Sequence, residues 1–563
     1  MRPIAAVALF LSLPIALIFW FHDVHDLQAL GRIKYHEWGY RYFEISGGVG
    51  SLWVLRLLFT GIAAGTFLFL STHRRSTILQ PGLLHFIVSP FRQMDKTELK
   101  LTWAIAITIV SVRIYHLITY PLHTDEVASY DYFVSKGWLA TLVFYPMPNN
   151  HIFFNMIAGM FHVFFTDILW TMRVPTLLIG LAGTLVVHSM LLRITAPLVA
   201  VLTTAFFSFS GMSLYLMVIG RGYAILFTCA AISSLALILL RRGGSHQRLF
   251  WILYFFCTVA GSITVPTYLY ALLANLLFGL YIFRSSAYRK QLKPLAITTG
   301  AAIALTIILY MPVLLVSGTS ALFENRYLAS LPLTVASERM LDHLILSEQL
   351  LFGSIVLQPW LFLSVVTGGT LMLFSKEHRG PTLLCLLHIL LPYMIATLQG
   401  VLPPERVLFP KHFFFVLLLA LLVHAAAKRL LAGKRLVYLV LSIPLAYGIT
   451  QIHSLEGATA KRKEDLENIE SSHQILMSTP SEEVLIQYGM YELYLLHHAY
   501  RDGGHQRLHC DPATLQGIPE WILIGHASDD PDTIDRNGYE LFMHNNDVSM
   551  YRRKAADDVP EAE

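Results

Sequence analysis

The sequence predicts an all-α polytopic membrane protein with about 13 transmembrane helices, followed by a small C-terminal extracytoplasmic α/β domain. Of its 563 residues, 55% are hydrophobic and 14% are charged, whereas about a quarter of the residues of soluble domains are charged. Apolar runs of about 17 to 25 residues, each long enough to cross a hydrocarbon core, recur between Ile4 and Ile452. A bundle of spanning helices therefore accounts for most of the chain.

The predicted spans are separated by short polar loops. Pro266 lies near the middle of an apolar run that is too long for one helix, and it marks a turn between two spans. The first span follows Arg2 and has no evident small-residue cleavage site, so we predict a retained helix. The predicted spans cover residues 3–21, 51–71, 101–119, 175–192, 197–216, 222–240, 249–265, 267–283, 294–316, 351–374, 381–398, 412–427 and 436–452.

Lys and Arg residues concentrate in every second loop, which the positive-inside rule assigns to the cytoplasm. These basic loops lie at 74–100, 241–248, 284–293 and 428–435. The other set of loops is predicted to lie outside and includes 120–174, 317–350 and 399–411. We therefore predict a multi-pass protein of the cell inner (plasma) membrane, with its C terminus outside the cytoplasm.

The composition becomes polar from about Leu455. The runs EVLIQYG, YELYLLHHAY, EWILIGHA and YELFMHNND indicate alternating strands and helices in this tail. We predict a small α/β domain over 455–563 and interpret it as a structural cap. The four cysteines form neither a disulfide framework nor a zinc pattern.

An acidic pair opens the long outer loop. Asp125 and Glu126 follow the third predicted span by a few residues. A carboxylate there, partly shielded from water, could take a proton from an acceptor hydroxyl as a general base. The alternative is a solvated acidic pair that ends a helix.

The same loop continues with PNNHIFF, in which Asn149, Asn150 and His151 begin an apolar stretch that runs to Phe165. We predict an amphipathic helix at the membrane interface. Its amides and imidazole could orient sugar hydroxyls, or they could cap the helix, since Asn is a favoured N-cap residue. Arg173, at the outer end of the next span, could bind phosphate or be a snorkelling interface residue.

Two further motifs put cations into outward loops. In GRGYA, Arg221 and Tyr223 could bind a donor, or they could anchor a helix end in the aromatic belt of the membrane. In PPERVLFPKHFF, Arg406 and Lys411 lie beside three prolines. Arginine binds phosphate through two parallel N–H groups and lysine adds a point charge, which suits a departing lipid phosphate.

The sequence contains no nucleotide-binding fingerprint, because GRGYA lacks the glycine spacing and the strand-to-helix context of such sites. An outward active site has no ready supply of nucleotide sugars, so a lipid-borne sugar donor fits the predicted topology. The formal net charge of +4 is small for this length and implies no nucleic-acid partner.

Taken in order, the DE pair, PNNHIFF, the following RVP, GRGYA and PPERVLFP resemble motifs of the GT-C superfamily of membrane glycosyltransferases. Within it, the chain resembles glycosyltransferase family 39, the protein O-mannosyltransferase and aminoarabinose transferase relatives, over residues 99–430. The resemblance implies a GT-C-like catalytic membrane core at 99–454, with the outer loop 120–174. Residues 1–98, with two additional helices and a cytoplasmic loop, would be an N-terminal addition to it.

The resemblance also implies an inverting transfer of a sugar from a polyprenyl phosphate to a lipid, glycan or protein acceptor. Asp125 would be the base, and Glu126 would support it or bind donor or acceptor. Arg406 matches the family arginine that contacts the lipid phosphate, although R-V-L stands where the family has R-Y-L.

The other candidate residues follow from their loops. We expect Lys411, Arg221, Tyr223 and Arg173 to bind the donor. Asn150 and His151 would contact sugar or acceptor, although PNNHIFF departs from the H-P-P-L-Y-Y-like segment of the family. No dissociable cofactor and no protein metal site is implied, and a divalent metal ion is an open alternative.

The rival interpretation is a membrane transporter or lipid flippase without transferase activity. Intramembrane charges such as Arg56 and Arg113 would then line a substrate path. The sequence shows no repeated halves with matching broken helices.

A reporter fused after residue 452 should lie outside the cytoplasm, because the parity of the predicted spans and the distribution of basic loops agree on that side. Activity of a compartment-sensitive reporter in whole cells measures this. A cytoplasmic signal would contradict the topology and would expose the motif loops to the nucleotide-sugar pool.

Overall fold

The structure is a computed structural model. Arg74 and Arg75 of a predicted basic loop, and residues 354–358 of a predicted span, lie outside the described residues. The residues that it describes are 2–36, 39–72, 83–244, 246–323, 330–353, 359–376, 378–430, 434–478, 483–487, 489–525, 538–544 and 548–554.

Within these ranges, nine helices are long and apolar enough to cross a membrane, judged by length and composition. The chain is therefore a multi-pass membrane protein. The nine helices are Arg2–Phe21, Val49–Thr72, Lys96–Thr119, Ile168–Ile194, Tyr223–Arg242, Pro266–Phe283, Arg289–Val316, Arg379–Gln399 and Glu405–Lys428.

The expected number of about 13 spans thus falls to nine in the described part of the chain. One reason is a break within predicted span 197–216, which consists of the helices Pro197–Phe209 and Gly211–Leu216. Ser210 between them adopts extended backbone geometry, and its hydroxyl accepts a hydrogen bond from the Ser213 amide at 3.4 Å. The hydroxyl group therefore starts a new helix where an uninterrupted span was predicted.

Two further predicted spans differ in length or polarity. Trp360–Met372 has only 13 residues, and Gln247–Thr264 begins with two strongly polar residues. The predicted span 436–452 lies within a 44-residue helix, Lys434–Met477, whose side chains are described only in part, so this span stays a prediction. We call Lys434–Met477 the long helix.

The helix Tyr223–Arg242 is the most buried of the nine spans, because 94% of its most apolar 18-residue stretch is buried. It packs closely against Gln247–Thr264. The Ser234 hydroxyl contacts the Asn275 side-chain oxygen at 2.7 Å and the His388 ring at 2.9 Å, on two other helices. Because an unpaired polar group is costly in an apolar bundle, these contacts fix three helices relative to one another.

The N-terminal spans Arg2–Phe21 and Val49–Thr72 pack against each other. Between them lie the helix Val24–Leu30 and an antiparallel hairpin of Lys34–His36 and Tyr40–Tyr42, here called the N-terminal hairpin. The remaining loops contain the 20-residue helix Leu333–Phe352 and the shorter helical segments Leu83–Val88, Phe91–Gln93 and Thr319–Phe323.

The loop 120–174, which is predicted to lie outside the cytoplasm, folds into a layer of short helices. Thr124–Ser129, the acidic helix, is followed at once by a π-helical turn, Tyr130–Val134. Gly137–Val143 and Ile152–His162 complete the layer. The last of these lies where the amphipathic helix was predicted.

The tail contains a helix, Gly489–Asp502, here called the C-terminal helix, and a five-stranded mixed sheet. The predicted boundary at residue 455 falls inside the long helix, and the division into three domains stays a prediction. In spatial order the strands are Leu508–His509, Val484–Gln487, Trp521–Gly525, Val548–Arg553 and Tyr539–His544, the first three parallel and the others antiparallel to their neighbours.

The predicted fold class is therefore confirmed in its coarser form. The described chain is mostly helical and ends in a small mixed α/β unit.

Candidate active site

The acidic helix begins with a reciprocal cap. The His123 ring accepts a hydrogen bond from the Asp125 amide at 3.1 Å, and the Glu126 carboxylate accepts one from the His123 amide at 3.0 Å. Burial lowers the pKa of His123 to about 4, which keeps its ring a neutral acceptor. The two acids therefore start from a fixed backbone and point to different sides of the helix.

Glu126 points inward and is shielded from water. Its carboxylate accepts two hydrogen bonds from Arg173, at 2.8 and 2.7 Å, and one from the Gly220 amide at 2.6 Å. Burial raises the pKa of Glu126, but the Arg173 charge outweighs burial and holds the pKa below its usual range. The remaining Arg173 donors bind the carbonyls of Leu117, Tyr120 and Pro121. This ion pair joins two spans to the GRGYA turn.

The glycines of GRGYA allow this approach. A Cβ atom at Gly220 would lie 2.3 Å from Met172 Cβ, and one at Gly222 would lie 2.7 Å from the His151 ring. Side chains at either position would clash with these neighbours and displace the turn.

Asp125 points toward the opening, with 24% of its side chain exposed. Its Oδ2 lies 3.6 Å from Nη1 of Arg221 and 3.6 Å from Nη1 of Arg406. Burial raises the pKa of Asp125, but the Arg221 charge, with a further contribution from Arg406, holds the pKa below its usual range. The site thus contains an ionised carboxylate between two guanidinium groups.

Arg221 is held in place by the PNNHIFF segment. It donates to the side-chain oxygen of Asn149, to the Asp125 carbonyl at 3.0 Å and to the Ser129 hydroxyl at 3.3 Å. The His151 ring lies 3.2 Å from its second terminal nitrogen. Arg221 is therefore a buried, fixed cation, in contrast to Arg406, whose side chain is 47% exposed.

His151 and Tyr223 line the same cluster. The His151 ring accepts a hydrogen bond from the Gly222 amide at 2.9 Å and meets the Tyr223 ring edge-on, with ring centroids 5.2 Å apart. Burial, together with the Arg221 charge, lowers the pKa of His151 well below its usual value. A neutral imidazole and a phenol thus border the charged groups.

Two candidate residues lie apart from this cluster. The Asn150 amide donates to the carbonyls of Thr141 and Phe144, at 2.9 and 3.0 Å, so it braces the outer layer. Lys411 is buried and forms an ion pair with Glu348 of Leu333–Phe352. The structure brings neither side chain to Asp125.

Glu348 was missed by sequence reasoning. The Lys411 ammonium and the Tyr393 hydroxyl both donate to this carboxylate, which is itself buried. Both residues fall in predicted loops, 317–350 and 399–411, so the hydropathy pattern gave no signal for a buried pair. The part of the chain that the structure describes holds no group of three or more His, Cys, Asp or Glu side chains that could bind a metal ion.

Solved structures of two membrane proteins resemble this chain. ArnT from Cupriavidus metallidurans bound to undecaprenyl phosphate has a TM-score of 0.53 at 12% identity, covering 82% of this chain and 99% of that chain. Its apo state has a TM-score of 0.53 at 12% identity, covering 80% and 97%. Archaeal AglB from Archaeoglobus fulgidus, an oligosaccharyltransferase in complex with an inhibitory peptide and a dolichol-phosphate, has a TM-score of 0.48 at 10% identity, covering 77% and 70%.

No protein-family model matches the chain, and no curated protein matches its sequence. At 12% identity, the likeness to the two ArnT structures shows the fold alone. The chain has the fold of these ArnT structures, which is the GT-C type that the sequence resemblance predicted. Its assignment to family 39 stays a prediction.

Glu126→Gln should destabilise the protein by about 3 to 5 kcal/mol, because it leaves the Arg173 charge buried without a counter-charge. Thermal unfolding of the detergent-purified protein measures this. Asp125→Asn is the matched control and should cost about 1 kcal/mol or less, since Asp125 is partly exposed and its ion pairs are long. Equal stability of the two variants would contradict the assigned role of Glu126.

Proposed function

We propose that the protein is a glycosyltransferase that moves a sugar from a polyprenyl-phosphate donor to an acceptor hydroxyl or amine, with inversion at the anomeric carbon. One observation carries the proposal: the partly exposed Asp125 carboxylate lies 3.6 Å from the guanidinium groups of both Arg221 and Arg406. A base for the acceptor and cations for the leaving phosphate therefore meet at one opening.

Arg406 is the proposed phosphate ligand. It is the more exposed of the two arginines, and its contact with Asp125 is long enough to be exchanged for a phosphate oxygen. Arginine can bind phosphate through two parallel N–H groups. The fold supports this choice of donor, because the similar ArnT structure contains undecaprenyl phosphate.

Asp125 is the proposed general base. The acceptor oxygen or nitrogen forms a bond to the anomeric carbon, and the bond from that carbon to the phosphate oxygen breaks. The acceptor proton passes to Asp125, and polyprenyl phosphate leaves beside Arg406 and Arg221.

Donor binding and proton transfer are coupled in this scheme. In the free protein, the two arginines lower the pKa of Asp125, which makes it a weak base. A bound phosphate neutralises the Arg406 charge, so the pKa of Asp125 rises toward its ordinary value. The carboxylate is therefore a stronger base when the donor is present.

The other candidate residues receive supporting roles. Glu126 and Arg173 hold the acidic helix, and Asn150 braces the layer behind it. His151 and Tyr223 border the opening, where they are placed to contact the sugar or the acceptor. Lys411 is neutralised by Glu348, so we expect it to reach the phosphate only when that pair opens.

We assign the site to the extracytoplasmic face, on the distribution of basic loops. The acceptor is a lipid, glycan or protein at that face, and membrane lipids surround the helices. Incubation of the purified protein with a panel of polyprenyl-phosphate sugars tests the function, with donor consumption followed by mass spectrometry. Consumption of one donor is expected, whereas a transporter or flippase would consume none.

Arg406→Ala should raise the KM for the lipid donor roughly ten- to a hundredfold, because a charge-assisted contact to the phosphate is lost. Arg406→Lys should recover part of the affinity, since lysine keeps the charge but lacks the planar fork. Arg339→Ala, an exposed arginine of Leu333–Phe352, is the control and should leave KM unchanged. An unchanged KM for Arg406→Ala would contradict the phosphate contact and would indicate that Arg406 only anchors the loop at the membrane interface.

Asp125→Asn should lower kcat roughly a hundred- to ten-thousand-fold, because an amide cannot accept the acceptor proton. Donor binding should persist, since Arg406 remains. Asp167→Asn is the matched control: Asp167 caps Ile168–Ile194, and asparagine caps a helix equally well. Steady-state transfer at matched protein levels decides this, and near-normal turnover of Asp125→Asn would rule Asp125 out as the base.

A further inference from the structure

The C-terminal helix lies directly against the acidic helix. The Tyr494 hydroxyl donates to the Leu122 carbonyl at 2.7 Å, and Nδ1 of His497 lies 3.0 and 3.1 Å from the two carboxylate oxygens of Asp131. Leu122 precedes the acidic helix and Asp131 follows it. Both ends of the segment that carries Asp125 are therefore held by one helix of the tail.

These two contacts come from one face of the C-terminal helix, because residues three positions apart are neighbours on a helix surface. Tyr494, His497 and Asp131 are all buried. Burial lowers the pKa of His497, but its Asp131 partner outweighs burial and raises the pKa above its ordinary value. The contact is thus a hydrogen-bonded pair shielded from water.

Asp131, the acidic partner of His497, lies in an irregular part of the backbone. Asp131 lies in the π-helical turn, where the regular backbone ladder of an α-helix is interrupted. The Asp131 carboxylate is paired with His497 and not with the arginines beside Asp125. Its contact with the C-terminal helix therefore holds the π-helical turn.

The C-terminal helix is itself anchored on the N-terminal hairpin. The Tyr40 hydroxyl donates to the Glu492 carbonyl at 2.5 Å, and the His36 ring contacts the Glu492 carboxylate. The Tyr500 hydroxyl donates to the Lys34 carbonyl. These contacts fix the position of the C-terminal helix, and the acidic helix packs against it.

We propose that Tyr494 and His497 are positioning residues for sugar transfer, through which the C-terminal helix sets the orientation of the Asp125 carboxylate. The inference rests on the proposed function, and it gives the tail a role beyond that of a cap. A base displaced by about 1 Å from its reactive position can lose a hundredfold in rate. Residues that hold the backbone of Asp125 therefore act on kcat without touching substrate.

The variant Tyr494→Phe tests this, because it removes one hydroxyl and keeps the packed ring. We expect kcat to fall roughly three- to tenfold with an unchanged KM for the polyprenyl-phosphate sugar. Tyr539→Phe is a matched control in the tail, which also removes one hydroxyl donated to a backbone carbonyl, that of Pro519. It should leave kcat within about twofold of the wild type, because this bond lies outside the C-terminal helix and its anchoring contacts.

Hydrogen exchange of the peptide over residues 122–134 provides a readout that needs no substrate. Exchange should be faster in Tyr494→Phe and in His497→Gln than in the wild type and in Tyr539→Phe. Faster exchange with unchanged kcat, or equal loss of kcat in Tyr494→Phe and Tyr539→Phe, would overturn the positioning role. Wild-type protein that consumes no donor would instead refute the proposed function, while the exchange result would still report on the contact between the C-terminal helix and the acidic helix.

Discussion

The buried ion pair between Glu126 and Arg173 is the constraint on which the candidate site and the loop 120–174 depend. Both side chains are fully shielded from water. A charge in such a place is tolerated only with a close counter-charge and satisfied hydrogen bonds, and Arg173 meets this demand with backbone carbonyls at the end of a neighbouring span. Two spans and the GRGYA turn therefore hold one arrangement, and Asp125 receives its position from the residue beside it.

The two carboxylates of the acidic pair, Asp125 and Glu126, lie in different environments. Helical geometry turns Glu126 into the protein and Asp125 toward the opening, so identical functional groups acquire different partners. One carboxylate is neutralised by Arg173 in a closed site. The Asp125 carboxylate lies between the fixed Arg221 and the exposed Arg406. An anionic ligand can reach the Arg406 guanidinium and bind it. Under the proposed function, stability and reactivity thus fall to neighbouring residues.

The membrane fold was largely predictable, because long apolar runs in lipid satisfy their backbone groups only as helices. In the described part of the chain most predicted spans fall on a helix, but length was harder to predict. Ser210 divides one span through a single hydroxyl, and the long helix continues past its apolar part into the tail. Such endings depend on individual caps and on packing, which hydropathy does not record.

The sequence by itself determined the membrane helices and the short set of charged loop residues from which a site could be built, since charges are scarce in such a chain. Asp125, Arg221 and Arg406 were selected in that way, and they meet in the structure. Only the tertiary structure decided that Lys411 pairs with Glu348 and that Tyr494 holds the acidic helix. These partners come together through folding across distant segments, and no local pattern specifies a contact between residues 372 positions apart.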